Sequence, residues 1–214
     1  MIIETDAIGE TEIRVALCAL GTKAALCGMP VPIDLGRVDR YISNICIQYE
    51  QGIAEALEYL VKLGHRRIGF LGGPPHLPSA GRRKRAFYDT ARQLGIEPAG
   101  AIDSDFTVKG GYYACSKLLT SAKPTAIVGG NDLTAIGALH CAFDRGLKVP
   151  EQLSVVGFDD ITFAEYTQPA LTSVQVPRQD IGRAAFQALW QMISSGDSDG
   201  REYAVQTRLI VRQS

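Results

Sequence analysis

The chain has 214 residues, of which 46% are hydrophobic, so it can bury one large core or two modest ones. Its 22 basic and 23 acidic residues leave a formal net charge of -1, which argues against direct binding to nucleic-acid phosphates or anionic membranes. No stretch reaches the roughly 18 uninterrupted apolar residues of a membrane helix, and the acidic start MIIETDAIGE is unlike a signal peptide.

Cysteine and histidine usage favours a cytoplasmic protein without a metal site. The five cysteines are odd in number and widely spaced, and no C-x-x-C pair occurs, which indicates reduced thiols acting as small core hydrophobes. The three histidines, His65, His76 and His140, match no metal-ligand spacing. We therefore expect no metal and no cofactor.

The first 45 residues give the least regular pattern. Residues 13–20 predict a helix, and residues 31–34 and 42–47 predict strands. The opening Ile2-Ile3, followed by Glu-Thr-Asp, is more typical of the end of a strand than of a natural beginning. We therefore expect the chain to lack the start of a longer protein.

From about residue 47 onward, helical and strand patterns alternate with short connections, which is typical of a parallel α/β sheet. Glycines close several of the helices. The predicted helices cover residues 53–61, 82–94, 107–118, 131–146 and 183–193, and the predicted strands cover 68–71, 126–128, 153–158, 171–176 and 203–211.

Polar or glycine-rich turns repeatedly follow the apolar strands. In an open parallel sheet these turns share the carboxyl edge, where ligands bind, so polar groups from distant parts of the sequence should converge on one crevice. The turns contain Asp34, Gly72-Gly73-Pro74, Phe106 beside Asp103 and Asp105, Gly129 to Asp132, and Asp159-Asp160.

Enzyme and nucleotide motifs are missing from the sequence. The turn Gly72-Gly73-Pro74 lacks the G-x-G-x-x-G and G-K-[ST] patterns, and its proline removes an amide that a phosphate would use. Neither a G-x-S-x-G nucleophile elbow nor an H-E-x-x-H helix occurs. No catalytic residue is predicted, and we expect a protein that is not an enzyme.

The basic run Arg82-Arg83-Lys84-Arg85 has two interpretations. Consecutive helical positions point in different directions, so the run is either a solvated first turn or a turn with one arginine facing the crevice. There the planar guanidinium could hold hydroxyls or a carboxylate bidentately. Asp159 and Asn131, taken singly, are equally well explained as a turn residue and a helix cap.

Longer stretches of sequence resemble the sensor domain of the LacI/GalR family of transcription regulators, in the usual order and spacing over about residues 31–214. The stretches are LEYLVKLGHRRIGFLGGP at 57–74, the arginine, alanine and phenylalanine of 83–87, FTVKGGYYA at 106–114, KPTAIVGGNDLTAIGAL at 123–139, GLKVPEQLSVVGFDDI at 146–161, PALTSVQVP at 169–177, IGRAAFQAL and the closing TRLIVRQS.

The resemblance implies an α/β, periplasmic-binding-protein-like fold with two Rossmann-like lobes, each with a parallel sheet, the first lobe being incomplete. One lobe would comprise residues 1–48 and 177–199, and the other residues 49–176 and 202–214. The crossovers would lie near residues 47–49, 175–177 and 199–202, with an effector held between the lobes.

The resemblance also carries the family's effector contacts onto Arg83, Phe106, Asn131 and Asp159, and with less support onto Asp34. An aspartate, asparagine, arginine and aromatic set suits a sugar, with its vicinal hydroxyls and apolar ring face, although a purine would use similar groups. Val176 departs from the pattern, because some relatives place a contacting glutamine there.

The function implied is that of a cytoplasmic, ligand-controlled regulator that reaches operator DNA only through a helix-turn-helix head absent from this chain. The missing first-lobe elements should leave an unpaired edge or apolar surface, so we expect a homodimer or a swapped assembly. The alternative is a solute-binding protein of an uptake system, which shares the fold but would need an export signal.

Overall fold

A computed structural model of the chain describes residues 2–4, 24–28, 42–194 and 201–214. The predicted helix at 13–20, the predicted strand at 31–34 and the candidate contact Asp34 lie outside these residues. Within the described part of the chain, no helix combines the length and apolar character needed to cross a membrane.

The described residues form ten strands and five α-helices. The strands are β1 (Ile2–Glu4), β2 (Ala24–Gly28), β3 (Ile42–Ile47), β4 (Ile68–Gly72), β5 (Gly100–Asp103), β6 (Ala126–Gly129), β7 (Ser154–Asp159), β8 (Thr172–Gln175), β9 (Glu202–Val205) and β10 (Arg208–Ile210). The helices are α1 (Tyr49–Lys62), α2 (Pro78–Gln93), α3 (Val108–Ala122), α4 (Asp132–Asp144) and α5 (Arg178–Ser194), and a 3-10 helix spans Thr162–Tyr166.

The chain divides into two compact units. The first unit comprises residues 1–48 and 177–206, and its four strands form a parallel sheet in the order β1-β2-β3-β9. Helix α5 packs on this sheet, burying Ala185 and Ala188 against Ile45 and Val205. The core of this unit therefore depends on small residues along one side of α5.

The second unit comprises residues 49–176 and 207–214 and contains a six-stranded sheet in the order β10-β8-β7-β6-β4-β5. Its strands are parallel except β10, which runs antiparallel to β8. The strands β4, β6 and most of β7 are buried, as expected where helices cover a parallel sheet on both faces. The prediction of an α/β fold built on parallel sheets is confirmed.

The starts of α3 and α2 are explained by their first residues. Thr107 precedes α3, and its hydroxyl accepts a hydrogen bond from the Gly110 amide at 2.9 Å. Helix α2 begins at Pro78, four residues before the predicted start at residue 82, because proline fits the first turn of a helix.

The end of the chain differs from the prediction. Residues 203–211 alternate like a single strand, yet the structure has two strands there, β9 in the first unit and β10 in the second. Residues 202–206, assigned to the second lobe by analogy, lie in the first unit because β9 pairs with β3. The strands β2 and β5 have no counterpart among the predicted elements.

Candidate ligand-binding site

The strand order of the second unit creates a crevice at the carboxyl edge of its sheet. Strand β4 connects to β5 on one side, whereas β6 lies on its other side, so the chain changes direction between β4 and β6. In open α/β sheets, ligands bind outside the strand ends at such a switch point. The loops that follow Gly72 and Gly129 border this position.

Arg83 reaches the switch point from helix α2. It is only 6% exposed, and Nη1 donates a hydrogen bond to the carbonyl O of Gly130. Its Cζ lies 4.6 Å from the ring centroid of Tyr49, 4.7 Å from that of Phe158 and 5.6 Å from that of Phe106. The guanidinium is thus held by cation–π contacts with three rings, while its buried Nε has no hydrogen-bond partner among the described residues.

The other members of the basic run have different partners. Arg82 forms a bidentate ion pair with Glu50 at 2.6 and 2.7 Å, joining α2 to the start of α1. Lys84 contacts both carboxylate oxygens of Asp103 at 2.8 and 2.9 Å, and Arg85 is exposed. Of the four basic residues, the structure brings Arg83 to the switch point.

Phe106 lies in the connection between β5 and α3, with φ at 63°. The backbone at Gly73 and Gly130 approaches its ring closely, and a Cβ atom at Gly73 would overlap the ring. A non-glycine residue at positive φ is uncommon and persists where the surroundings hold it. The glycine turn identified in the sequence therefore makes room for an aromatic ring at the switch point.

Asn131 caps helix α4 and also holds the Phe106 loop. Its Oδ1 accepts from the Thr134 amide at 2.8 Å, and its Nδ2 donates to the carbonyl O of Phe106 at 3.2 Å. A carboxamide has two N–H groups and two oxygen lone pairs, so one of each remains for a ligand. The helix-cap interpretation of Asn131 is correct, and it is compatible with a ligand contact.

Asp159 is the last residue of β7 and pairs in register with Gln175 of β8. Its φ is 106°, and that of Asp160 is 51°, so two consecutive aspartates adopt left-handed backbone. Asp159 directly follows Phe158, whose ring contacts Arg83. The side chains at the ends of β4, β6 and β7 are thereby brought to one sheet edge.

Asp160 has a structural partner that the sequence did not indicate. Its Oδ1 lies 2.8 Å from Nη2 of Arg212, and its Oδ2 accepts from Nε2 of Gln175 at 2.8 Å. The Arg212 contact is an ion pair without good hydrogen-bond alignment, since Oδ1 has no hydrogen-bond partner within the residues that the structure describes. Of the two aspartates, Asp160 thus ties the loop to the end of the chain.

Sequence reasoning missed two aromatic residues of this site and included Asp132 only among the polar turn residues. Tyr49 and Phe158 supply two of the rings around Arg83, and Asp132 lies buried beside the β7 loop. The position of Phe158 directly before Asp159 in a strand could have indicated that it belongs to the site. Tyr49 lies in a predicted crossover segment, which gave no such indication. Among the described residues, no three His, Cys, Asp or Glu side chains gather to form a metal site.

Comparison with known protein families gives a match over residues 57–214 to the periplasmic binding protein-like domain. A curated relative is the HTH-type transcriptional repressor PurR of Edwardsiella ictaluri, 35% identical over 73% of this chain and 47% of the relative. The chain spans about half the length of the curated relatives that it matches.

Two solved structures are similar to the whole chain or to most of it. A sugar-binding transcriptional regulator of the LacI family from Escherichia coli, complexed with phosphate, is 29% identical with a TM-score of 0.84, covering 100% of this chain and 75% of that one. The regulator CelR in complex with cellobiose is 29% identical with a TM-score of 0.81, covering 91% of this chain and 59% of that one.

Proposed function

Because the chain belongs to the periplasmic-binding-protein-like domains of the LacI family of transcription regulators, we propose that it binds a small-molecule effector at the carboxyl edge of the second unit's sheet. Arg83, Phe106, Asn131 and Asp159 are the proposed contacts. Asp34 is a further candidate, which lies outside the described residues.

The surroundings of Arg83 carry the proposal. A guanidinium that is 6% exposed and surrounded by three aromatic rings, with an Nε that has no hydrogen-bond partner in the described part of the chain, is costly to bury. A ligand oxygen at the switch point would offset part of that cost by accepting from the guanidinium. The neighbouring Arg82 differs from Arg83 in having a carboxylate partner, because Glu50 accepts hydrogen bonds from two of its guanidinium nitrogens.

We propose a polyhydroxylated ligand, most simply a sugar. Asp159 supplies carboxylate acceptors for vicinal hydroxyls, Arg83 supplies donors, and the half-buried Phe106 offers an apolar ring face. The names of the two similar structures support this class, since one contains cellobiose and the other is called sugar-binding. In this view the chain carries out no reaction.

Calorimetry of the 214-residue chain against cellobiose, D-glucose, glucose 6-phosphate and hypoxanthine tests the proposal. Arg83→Lys keeps the charge but loses the planar fork, and losing such a charged hydrogen bond costs about 1.5 to 3 kcal/mol, or roughly ten- to a hundredfold in affinity. Arg85→Lys, on the exposed side of the same helix turn, should bind normally. Equal affinities of both variants would refute the role of Arg83, and binding of hypoxanthine alone would refute the sugar class.

We further propose that effector binding is read out as a change in DNA binding by a helix-turn-helix head, as the name of the PurR relative suggests. Such a regulator works in the cytoplasm, where its operator DNA is accessible. The net charge of -1 gives this chain no overall positive field to attract DNA phosphates. DNA contact is therefore assigned to the head and effector sensing to this chain.

A second copy of the chain is the proposed partner. An apolar groove of about 580 Å³ lies on the second unit between α4 and the 3-10 helix. Phe143, Phe163 and Tyr166 border it, and they are 82%, 71% and 77% exposed. Aromatic side chains this exposed and this close together are typical of an interaction surface, and a homodimer would cover them.

A further inference from the structure

Asp132, the first residue of α4, is a buried carboxylate beside the proposed ligand site. It is 1% exposed, and its two oxygens have different partners. Oδ2 accepts from the Ile161 amide at 2.7 Å, and Oδ1 accepts from the Ser173 hydroxyl at 2.5 Å. Ser173 in turn accepts from the Asp160 amide at 3.1 Å, so Asp132 holds two consecutive backbone amides of the β7 loop.

The loop that Asp132 holds is conformationally strained. Asp159 and Asp160 both have positive φ, a backbone conformation that is unfavourable for a non-glycine residue and persists only under external restraint. The carboxylate also lies against Gly157, where a Cβ atom would overlap Oδ1. Strand, loop and helix are therefore arranged around this one side chain.

We propose that Asp132 is a positioning residue, whose carboxylate holds residues 159–161 through hydrogen bonds to the Ile161 amide and Ser173 and so sets where Asp159 lies at the sheet edge. The relevance of that position to ligand binding rests on the proposed function. The anchoring itself is a property of the chain without ligand.

The charges around Asp132 make this anchoring sensitive to pH. Burial raises the pKa of Asp132 to about 7, with the charges of Asp159 and Asp160 adding to the effect, while the hydrogen bonds from Ser173 and Ile161 oppose it. Arg212 pairs with Asp160 and also with Glu165, at 2.8 and 3.3 Å.

Protonation of Asp132 replaces two charge-assisted hydrogen bonds by neutral ones and reverses the direction of the Ser173 bond. Charge-assisted bonds are roughly twice as strong as neutral ones, so the loop should be held less firmly below neutral pH. Amide exchange at Ile161 and Asp160 reports this change directly.

The test is NMR spectroscopy of the 214-residue chain without ligand between pH 5.5 and 8.5. We expect the Ile161 amide signal to titrate with a midpoint near pH 7, and its exchange protection to fall about five- to tenfold toward pH 5.5. Asp132→Asn should remove the titration and show the low protection throughout. An Ile161 signal that stays flat in the wild-type chain, or that titrates equally in Asp132→Asn, would overturn the proposal.

Two milder variants keep the test decisive if Asp132→Asn fails to fold. Ser173→Ala should move the midpoint upward, because its hydrogen bond favours the ionised carboxylate, and Asp159→Asn should move it downward, because a repelling charge is lost. An unchanged midpoint in both variants would also overturn the proposal. Since no ligand is involved, failure of every sugar to bind would refute the proposed function and leave the titration result intact.

Discussion

His65, like Asp132, makes contacts that depend on its charge. It lies at the amino edge of the six-stranded sheet of the second unit. Its Nδ1 lies 3.0 Å from Oγ1 of Thr125, and its Nε2 lies 3.2 Å from Oγ of Ser154. Thr125 Oγ1 donates to the carbonyl O of Arg67 at 3.4 Å, so Nδ1 carries the proton and Nε2 accepts from Ser154. Partial burial lowers the pKa of His65 below its ordinary value of 6.5, which favours this neutral form.

The lowered pKa predicts a loss of stability in mild acid. Below pH 6.5 the unfolded chain takes up a proton at His65 before the folded chain does, so this residue's contribution is intact above pH 6.5 and lost as the pH falls through the folded pKa. His65→Gln should reduce the dependence of the melting temperature on pH in that window. His76 is exposed, so His76→Gln should keep the wild-type slope, and a slope unchanged in His65→Gln would contradict the assignment.

Asp132 contributes with the opposite sign to global unfolding, which exposes its carboxylate to water, whereas local opening of residues 159–161 loses only its hydrogen bonds. Its pKa is raised from 3.8 to about 7 on folding, so its contribution is present below about pH 4 and lost as the pH rises through 7. The two slopes oppose each other between the folded-state pKa of His65 and pH 6.5. Each effect is therefore measured by comparing one single variant, Asp132→Asn or His65→Gln, with the wild-type chain.

Helices α3 and α4 pack closely because each presents a glycine to the backbone of the other. A Cβ atom at Gly137 of α4 would overlap the Val108 carbonyl O and lie 2.5 Å from the Tyr112 amide N. A Cβ atom at Gly111 of α3 would in turn overlap the Thr134 backbone. These obstacles are backbone atoms of the neighbouring helix, so a side chain can be accommodated only if the helices separate.

Alanine substitutions at two helical glycines should therefore have opposite effects. Gly137→Ala should destabilise the chain by about 2 kcal/mol or more, because overpacking against backbone forces the helices apart. Gly81 of α2 has nothing within 4 Å of its Cβ position, so Gly81→Ala should stabilise by roughly 0.5 to 1 kcal/mol through helix propensity. Urea unfolding of both variants provides the measurement, and a neutral Gly137→Ala would show that the helices do not pack this closely.

Elements with local signals were predictable from the sequence. Helical spacing, cap residues such as Thr107 and helix-ending glycines located the helices of the second unit, and apolar runs located β4, β6 and β7. Strand β5 lies at the sheet edge and is only partly buried, so it has no apolar run to identify it. The alternation over residues 203–211 could not reveal a division between two sheets, because partner strands are chosen by tertiary contacts.

Part of the candidate site was also predictable from the sequence. Polar residues after strands are visible in the sequence, and this rule together with the family resemblance selected Arg83, Asn131 and Asp159. Asp132 was predicted only as one of the polar turn residues after β6, because its burial depends on Ile161 and Ser173, 29 and 41 residues away along the chain. The effector-contact role of these residues remains a prediction, and calorimetry of the Arg83 variant is its direct test.

The proposed dimer surface is the main feature at the scale of the whole molecule. Fully burying an aromatic side chain such as Phe143 or Phe163 stabilises an interface by about 1.5 to 3 kcal/mol. The groove between α4 and the 3-10 helix presents several such groups in one place. An interface centred there would bring α4, and with it the Asn131 cap and Asp132, close to the partner copy. Assembly and effector sensing would then share one helix.

Sedimentation of the chain over micromolar concentrations should show a species of about twice 23.1 kDa. Phe163→Lys places a charge in the groove, and desolvating it on association should weaken the dimer by tenfold or more. Leu63→Lys is the matched control, because Leu63 is also exposed, at 57%, but lies outside the groove. A wild-type chain that stays monomeric at every concentration would contradict the homodimer, and a dimer weakened equally by both variants would contradict this choice of surface.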